Sequence, residues 1–210
     1  KILTGRDISK IRTEGGLSGF PKSSESEHDL FVAGHASTSI SAALGIAEAK
    51  KISKSDDSVI AVVGDGALTN GMIYEALNNC TNRDLNLIVL LNDNEMSIDK
   101  PVGALDRYLL HISTSKWYNK FKGSLWKVLG KVPPVLKMAR RTGNAIKHGV
   151  LHNSNLFESL NFRYFGVVDG HDLERLIDVL RSLKDIGGPK LLHIKTRKGK
   201  GYAPAEADPA

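Results

Sequence analysis

The chain has 210 residues, of which 41% are hydrophobic and 25% charged, a balance typical of one globular α/β domain with a real core. No apolar run reaches the roughly 18 residues that a membrane-spanning helix needs, so we expect no such helix. The single cysteine, Cys80, cannot form an internal disulfide, which favours a reducing compartment such as the cytosol.

The formal net charge of +6 is concentrated in one segment. Residues 107–157 contain ten Lys or Arg and no Asp or Glu, so the rest of the chain is net acidic. Aromatic residues lie between these basic residues, an arrangement also found on RNA-binding and membrane-binding surfaces. The chain has no recognised nucleic-acid motif, which favours a solvated helical excursion that covers an anionic site. Residues 104–160 contain no strand pattern, and Pro133-Pro134 would interrupt a helix once. We therefore predict a helical excursion from the sheet over these residues.

Residues 1–33 are punctuated by Gly, Pro and Ser and predict irregular structure. The segment Gly34-His35-Ala36-Ser37-Thr38 then opens a helix, with Ser37 or Thr38 as its N-cap. Four apolar residues at helical spacing predict its buried face: Ile40, Ala43, Leu44 and Ala47.

Two apolar runs, at residues 59–63 and 85–91, predict buried parallel strands because they are β-branched or leucine-rich and do not alternate. Residues 68–79 between them predict a helix, and Cys80 follows as a small buried residue. The predicted buried stripe of this helix consists of Leu68, Met72, Ala76 and Leu77. The three elements form a strand–helix–strand unit, which takes a right-handed crossover.

Polar residues follow both of these strands. Gly64-Asp65-Gly66 comes after the first, and Asn92-Asp93-Asn94 after the second. Ligands bind at the carboxyl ends of strands in open parallel sheets, so Asp65 and Asn94 should lie close together. A carboxylate and an amide oxygen suit Mg2+, which takes few protein ligands and completes its shell with phosphate oxygens and water. The alternative is a tight turn with a capping Asp, followed by an ordinary loop.

The glycines and the following helix extend this prediction. Gly64 and Gly66 lack side chains where the backbone must turn sharply and approach a ligand. The helix after them should direct free N–H groups at the same place, which is a ready anion site. The stretch as a whole therefore predicts a site for a magnesium diphosphate.

The last third of the chain predicts a strand, a helix and another strand. Residues 162–168 and 189–196 have strand patterns, and the helix between them carries apolar residues at positions 173, 176, 177, 180 and 183. Asp169-Gly170-His171-Asp172 joins strand to helix, either as a cap provided by Asp172 or as an active-site motif with His171. Arg197-Lys198-Gly199-Lys200-Gly201-Tyr202 leaves the last strand, either as contacts to an anion and a ring or as a basic linker.

These motifs resemble the sequence motifs of a known enzyme family. Gly64-Asp65-Gly66 with Asn92-Asp93-Asn94 resembles the signature of transketolase-like thiamine diphosphate enzymes. Residues 34–42, 92–98, 168–173 and 198–206 more closely resemble the family of 1-deoxy-D-xylulose-5-phosphate synthases, and the resemblance covers essentially the whole chain. It implies an α/β fold of the transketolase-like type, a parallel sheet flanked by helices that binds thiamine diphosphate.

The resemblance also implies the cofactors and their ligands. Thiamine diphosphate and Mg2+ are the expected cofactors, with Asp65, Asn94 and the backbone carbonyl of Met96 on the metal. The implied cofactor-binding residues are His35, Ala36, Ser37, Gly66, Ala67, Asn94 and Tyr202. Ala36 departs from the serine expected there, which a backbone contact would tolerate. No catalytic residue is assigned; His35 is a candidate, with a helix-start histidine bonded to backbone as the alternative.

The reaction implied is the decarboxylative condensation of pyruvate with D-glyceraldehyde 3-phosphate. Its product, 1-deoxy-D-xylulose 5-phosphate, serves isoprenoid, thiamine and pyridoxal biosynthesis. The family further implies a homodimer in a bacterial-type cytoplasm, with a plastid as the alternative, and neither a nucleic-acid nor a membrane partner. Two other functions stay open: another transketolase-like thiamine enzyme, and a cofactor-binding module without catalysis of its own.

Residues 1–210 are expected to form one thiamine diphosphate-binding domain that is incomplete at its N-terminus, because Lys1 begins abruptly inside a family-like motif. In the resembling family a histidine-bearing segment comes before this domain, and pyrimidine-binding and C-terminal domains come after it. The glutamate that contacts the aminopyrimidine ring belongs to the next domain, so Glu75 is not assigned to that role. We therefore expect these residues alone to be inactive.

Overall fold

The computed structural model describes residues 8–81, 83–94, 104, 108–109 and 156–207. The strands in these ranges are β1 (Val59–Gly64), β2 (Leu87–Asp93), β3 (Arg163–Asp169) and β4 (Lys190–Lys195). The helices are α1 (Ser39–Ile52), α2 (Asp65–Leu68), α3 (Gly71–Cys80), α4 (Leu156–Ser159), α5 (Leu173–Lys184) and α6 (Ala203–Ala207), preceded by a 3-10 turn at Ile8–Lys10. All four predicted strands are present, with slightly shifted ends.

The strands form one parallel sheet in the order β1-β2-β4-β3. Gly64 of β1 lies opposite Asn92 of β2, and Asp93 lies opposite Lys195 of β4. The carboxyl ends of these three strands therefore meet along one edge of the sheet. The parallel α/β architecture predicted from the sequence is confirmed.

Helices α1 and α3 cover one face of this sheet. The predicted buried stripe of α1 is confirmed, because Ile40, Ala43, Leu44 and Ala47 are all buried. They pack with alternate strand residues, among them Val59, Ala61, Val63, Leu87, Val89, Leu91 and Leu191. Burying a side chain such as Leu44 contributes about 1.5–3 kcal/mol, so this layer fixes the sheet on which the polar edge is built.

Helix α5 covers the opposite face. Val179 and Leu183 pack there with the other set of strand residues, namely Ile88, Leu90, Val168, Leu192 and Ile194. On the same face of β1, Ile60 is 46% exposed and Val62 is 62% exposed. The cover that α5 provides therefore does not extend to β1.

The predicted helix over residues 68–79 is wrong in one respect. It is two helices, α2 and α3, which are separated at Thr69 and Asn70. The interruption resets the helical phase, so Ile73 is buried and Met72 is 47% exposed, although the sequence pattern predicts Met72 in the core. Leu68, Ala76, Leu77 and Cys80 are buried as predicted.

Helix α5 also differs from its predicted apolar pattern. The helix itself is confirmed, and Leu183 is buried with Leu176 and Leu180 packed beside it. Leu173 is 65% exposed and Ile177 is 46% exposed, while Val179 takes a core position. The apolar stripe is wider than the face that the sheet covers, so its flank at Leu173 and Ile177 stays in solvent.

The two described ends of the predicted excursion at 104–160 pack against each other. The Leu156 backbone N–H donates to the Tyr108 hydroxyl, and the rings of Tyr108 and Phe157 are 6.5 Å apart. Most of the predicted excursion, with its basic residues and Pro133-Pro134, lies outside the described residues. No helix in the described part of the chain is both long and apolar enough to span a membrane.

Candidate cofactor-binding site

The predicted polar residues lie at the carboxyl edge of β1 and β2. Asp65 follows the last residue of β1, and Asn94 follows the last residue of β2. Gly64 is paired with Asn92, so the backbone segments that follow β1 and β2 leave the sheet side by side. Asp65 and Asn94 are both half-buried. The prediction that both clusters follow neighbouring parallel strands is therefore confirmed, except that Asn92 and Asp93 belong to β2 itself.

Asp65 opens a short helix rather than a long one. Its Oδ1 accepts a 2.8 Å hydrogen bond from the Gly66 backbone N–H, which holds the carboxylate against the start of α2. This helix comprises only Asp65–Leu68, so its dipole is small. A helix does begin at this place, as predicted, but it is short. Binding at Gly66 and Ala67 stays a prediction about individual backbone groups.

Ser37 connects the start of α1 to this turn. Its hydroxyl donates to the Ala67 carbonyl at 2.8 Å and accepts from the Asn70 side-chain amide at 2.6 Å. Two of the predicted cofactor-binding residues, 30 positions apart in the chain, are therefore in direct contact. His35 and Ala36 are exposed just before Ser37, and the His35 carbonyl accepts from the Thr38 hydroxyl at 3.3 Å.

The backbone at Ser37 is strained. Its φ of 70° lies in the left-handed region, which serine adopts at a cost. Residues in such conformations persist where surrounding contacts hold them, and they cluster at functional sites. The bonds to Ala67 and Asn70 supply this restraint, so the turn that carries His35 and Ala36 has a defined position at the edge of β1.

The loop that follows β4 reaches the same edge. The Thr196 backbone N–H donates to the Asp93 carbonyl at 2.9 Å, and the Thr196 hydroxyl donates to the Asn92 side chain at 2.7 Å. The Arg197 backbone N–H donates to Nε2 of His171 at 2.8 Å. The motif around His171 and the basic loop that ends at Tyr202 are thus brought together, which the sequence alone does not predict.

The two interpretations of the motif at residues 169–172 are not exclusive. Asp172 caps α5, because its carboxylate accepts from the Arg175 backbone N–H at 3.1 Å. His171 is exposed just after β3, and its Nε2 accepts from the backbone N–H of Arg197, which follows β4. In a neutral imidazole this bond assigns the ring proton to Nδ1. The cap is confirmed, and an active-site role for His171 stays a prediction.

The basic loop itself is held by Glu206. Its carboxylate accepts from the Gly201 backbone N–H at 2.7 Å, and this bond holds the pKa of Glu206 below its ordinary value. Lys198 and Lys200 are exposed on the loop, and Tyr202 is 65% exposed. No hydrogen bond among the described residues links the Tyr202 side chain to Asp65 or Asn94. Cofactor contact by Tyr202 therefore stays a prediction.

The oxygen ligands available at this edge of the sheet fit a magnesium diphosphate. Asp65 and Asn94 offer oxygen ligands, which Mg2+ prefers. No cluster of three or more His, Cys, Asp or Glu side chains suited to a metal occurs among residues that the structure describes. Asp65 and Asn94 would form a small ligand set. Phosphate oxygens and water complete such a set around Mg2+. Met96, the third predicted ligand, lies outside the described residues.

Gly64 provides an independent indication of a ligand. Its backbone is extended, with φ −76° and ψ 156°, which any residue adopts. A Cβ added to Gly64 would meet no atom of the described residues within 4 Å. Neither the backbone geometry nor the described surroundings require glycine here, whereas a ligand lying against the backbone would.

Sequence reasoning missed a buried polar cluster beneath this edge. His193 of β4 has no exposed surface, and its two ring nitrogens contact Asp93 and Tyr164. A signal for it is present, because a histidine inside the run Leu191-Leu192-His193-Ile194 must find polar partners once it is buried. Asn70 and Thr196 were missed as well, since their bonds depend on long-range contacts.

A family profile described as 1-deoxy-D-xylulose-5-phosphate synthase matches residues 1–196. The chain belongs to this family. Family members named 1-deoxy-D-xylulose-5-phosphate synthase include those of Cytophaga hutchinsonii, 54% identical over 99% of the chain, and Porphyromonas gingivalis, 51% identical over 98%. The Nitrosomonas eutropha member is 49% identical over the whole chain. The chain spans about a third of the length of these relatives, at 34%, 33% and 34% respectively.

The fold of this chain also has a solved counterpart. A crystal structure of transketolase from Campylobacter jejuni matches 82% of the chain and 21% of its own length, with a TM-score of 0.50 and 21% sequence identity. At this identity the likeness concerns the fold alone. The parallel sheet with helices on both faces is thus the transketolase-like fold predicted from the motifs.

Proposed function

We propose that the chain is the cofactor-anchoring part of a 1-deoxy-D-xylulose-5-phosphate synthase. The complete enzyme condenses pyruvate with D-glyceraldehyde 3-phosphate, with loss of carbon dioxide, to 1-deoxy-D-xylulose 5-phosphate. This product feeds isoprenoid, thiamine and pyridoxal biosynthesis. The family membership over residues 1–196 supports the reaction.

One observation carries the proposed role of this chain. The pairing of Gly64 with Asn92 sets Asp65 and Asn94 at the same edge of the sheet, each directly after its strand. A carboxylate and an amide oxygen in that arrangement suit Mg2+ bound to a diphosphate. Asp65, Asn94 and the Met96 carbonyl would hold the metal.

The remaining predicted residues would orient the cofactor around this anchor. Ser37 restrains the turn that carries His35 and Ala36, and Gly66 and Ala67 present backbone groups beside Asp65. Lys198 and Lys200 add positive charge near the carboxyl edge, which favours an anionic ligand. When bound, thiamine diphosphate supplies the nucleophilic carbon and the electron sink that decarboxylation needs.

The proposed assembly goes beyond this chain. We propose a homodimer in the cytoplasm, on the basis of the resemblance, and we propose that residues 1–210 alone do not catalyse. The relatives are about three times as long, which leaves room for the domains that would contact the aminopyrimidine end of the cofactor.

Substrate assays on the full-length protein test the function. Purified protein with Mg2+ and thiamine diphosphate should form 1-deoxy-D-xylulose 5-phosphate from pyruvate and D-glyceraldehyde 3-phosphate. A ketose donor with an aldose acceptor tests for a transketolase, and a lipoyl acceptor tests for a 2-oxo acid dehydrogenase. Turnover only in one of these two assays would refute the proposal in favour of another thiamine enzyme. Cofactor binding without turnover in all three would favour a module without catalysis.

A further inference from the structure

Three hydrogen-bonded polar residues, of which His193 and Asp93 are buried and Tyr164 is half-buried, lie next to the predicted magnesium site at the carboxyl edge of the sheet. His193 is fully buried on β4; its Nε2 lies 3.0 Å from Oδ2 of Asp93 and its Nδ1 lies 2.6 Å from the Tyr164 hydroxyl. The three residues belong to β2, β4 and β3, which are neighbours in the sheet. The cluster therefore crosses three adjacent strands.

The hydrogen bonds of this cluster have a defined direction. A carboxylate only accepts, so Nε2 of His193 donates its proton to Asp93. In the neutral imidazole Nδ1 then accepts from the Tyr164 hydroxyl. This arrangement satisfies both ring nitrogens, as burial in an apolar layer requires.

Tyr164 is itself held in place. Its ring stacks on Phe157 with centroids 5.9 Å apart and planes 7° apart, and it meets the His193 ring edge-on at 6.1 Å. Gly166 of β3 lies so close to His193 that an added Cβ would be 2.8 Å from the His193 Cβ. The imidazole is therefore confined from both β3 and β2, and its Nε2 stays directed at Asp93.

Asp93 is the middle residue of Asn92-Asp93-Asn94. Its side chain is bonded by His193, its carbonyl by the Thr196 N–H, and the neighbouring Asn92 side chain by the Thr196 hydroxyl. Two consecutive residues are thus fixed by β4 immediately before Asn94 leaves the sheet. Loss of the His193 bond would remove one buried partner of the Asp93 carboxylate at a free-energy cost, and the residue directly after it, Asn94, would be held less firmly.

We propose that His193 is a positioning residue for cofactor binding. By holding Asp93, it aims Asn94 at the magnesium diphosphate, and Tyr164 keeps the imidazole in the orientation that this requires. The inference rests on the proposed function, since it assigns a further residue to the same site. His193 does not touch the cofactor and acts only through Asp93.

Calorimetric titration of the full-length protein with thiamine diphosphate in the presence of Mg2+ tests this role. His193→Leu removes both bonds, whereas His193→Gln retains an amide N–H close to the Nε2 position. Leu192→Ala is the matched control, because Leu192 is fully buried next to His193 on β4 and faces the other side of the sheet. We expect about tenfold weaker binding in His193→Leu, nearly complete recovery in His193→Gln, and unchanged binding in Leu192→Ala.

Tyr164→Phe gives a second readout that does not depend on a large change in the core. It removes one oxygen, keeps the ring on Phe157, and should weaken binding about threefold. Thermal melts of the unliganded proteins establish that each variant is folded at the titration temperature. Equal affinity in Tyr164→Phe and wild type would overturn the inference, as would equal loss in His193→Leu and Leu192→Ala. A wild-type protein that fails to bind thiamine diphosphate with Mg2+ would instead contradict the proposed function.

Discussion

The hydroxyl of Ser37 donates a 2.8 Å hydrogen bond to the carbonyl of Ala67. Ser37 is buried and also accepts from the Asn70 side chain, so the bond is shielded from water. It joins the turn before α1 to α2, the short helix that follows β1. This hydroxyl group therefore links two predicted cofactor-binding segments directly, in addition to the apolar packing of α1.

Replacement of this hydroxyl should loosen both segments. Ser37→Ala removes the hydroxyl that bonds the Ala67 carbonyl and the Asn70 side-chain amide, although this carbonyl still accepts from the Asn70 backbone N–H. We expect the free energy of unfolding to fall by about 0.5–1.5 kcal/mol. Urea unfolding of Ser37→Ala measures this change. Ser53→Ala is the control, because its hydroxyl bonds to the Lys50 carbonyl at an exposed position after α1. Equal effects of the two substitutions would contradict a restraining role for Ser37.

Lys190 is a fully buried lysine at the amino end of β4. Its Nζ donates to the Asn86 side chain at 2.7 Å and to the Ile186 carbonyl at 2.5 Å. Burial lowers the pKa of Lys190 from 10.5 to about 8, with a further contribution from the Arg163 charge. Between these two values the unfolded chain holds more protons on this lysine than the folded chain does, so its contribution makes stability rise with pH.

This dependence can be isolated by a difference measurement. The unfolding free energy of wild type should increase relative to that of Lys190→Met as the pH is raised from about 8 to 10.5. The raised pKa of Cys80 has the opposite effect in part of this window, but both proteins contain Cys80 and the difference removes it. Lys51→Met, at an exposed lysine of α1, should show no such trend. A flat difference for Lys190→Met would show that its pKa is not lowered.

Cys80 should be unreactive in the folded protein. It is 1% exposed at the end of α3, and burial raises the pKa of its thiol to about 11. Since the thiolate is the reactive form, labelling by a disulfide reagent at pH 8 should be at least about a hundredfold slower in the native state than in guanidinium. Within residues 1–210 the measured signal belongs to Cys80 alone. Rapid native labelling would contradict its burial.

The strands and the polar edge were predictable because local signals suffice for them. Apolar runs without alternation indicate buried parallel strands, and the polar residues that end them fall at one edge for geometric reasons. The α1 stripe was predictable for the same reason, because Ile40, Ala43, Leu44 and Ala47 follow one unbroken helical period.

The rest depends on contacts between distant residues. The unbroken helical stripe that predicts Met72 in the core runs through Asn70-Gly71, a dipeptide that commonly marks a turn. In the structure Asn70 bonds to Ser37, and the helix begins again at Gly71. Leu173 and Ile177 are exposed because the area of sheet under α5, not its own pattern, limits what it buries. The hydrogen bonds of His193 depend on partners in two other strands, which the sequence pattern of β4 does not identify.

The central claim is that Asp65 anchors a magnesium diphosphate. Its carboxylate follows β1 directly and is oriented by the Gly66 N–H. Asp56 offers a matched control, because it is an exposed aspartate just before the amino end of β1, at the opposite edge of the sheet. The substitutions Asp65→Asn and Asp56→Asn remove the same charge from the two edges.

Calorimetric titration of full-length Asp65→Asn with thiamine diphosphate and Mg2+ tests the claim most directly. We predict that metal-dependent binding weakens by more than about a hundredfold in Asp65→Asn, because a metal ligand has lost its charge. Asp56→Asn should bind like wild type. Unchanged affinity in Asp65→Asn would contradict the account.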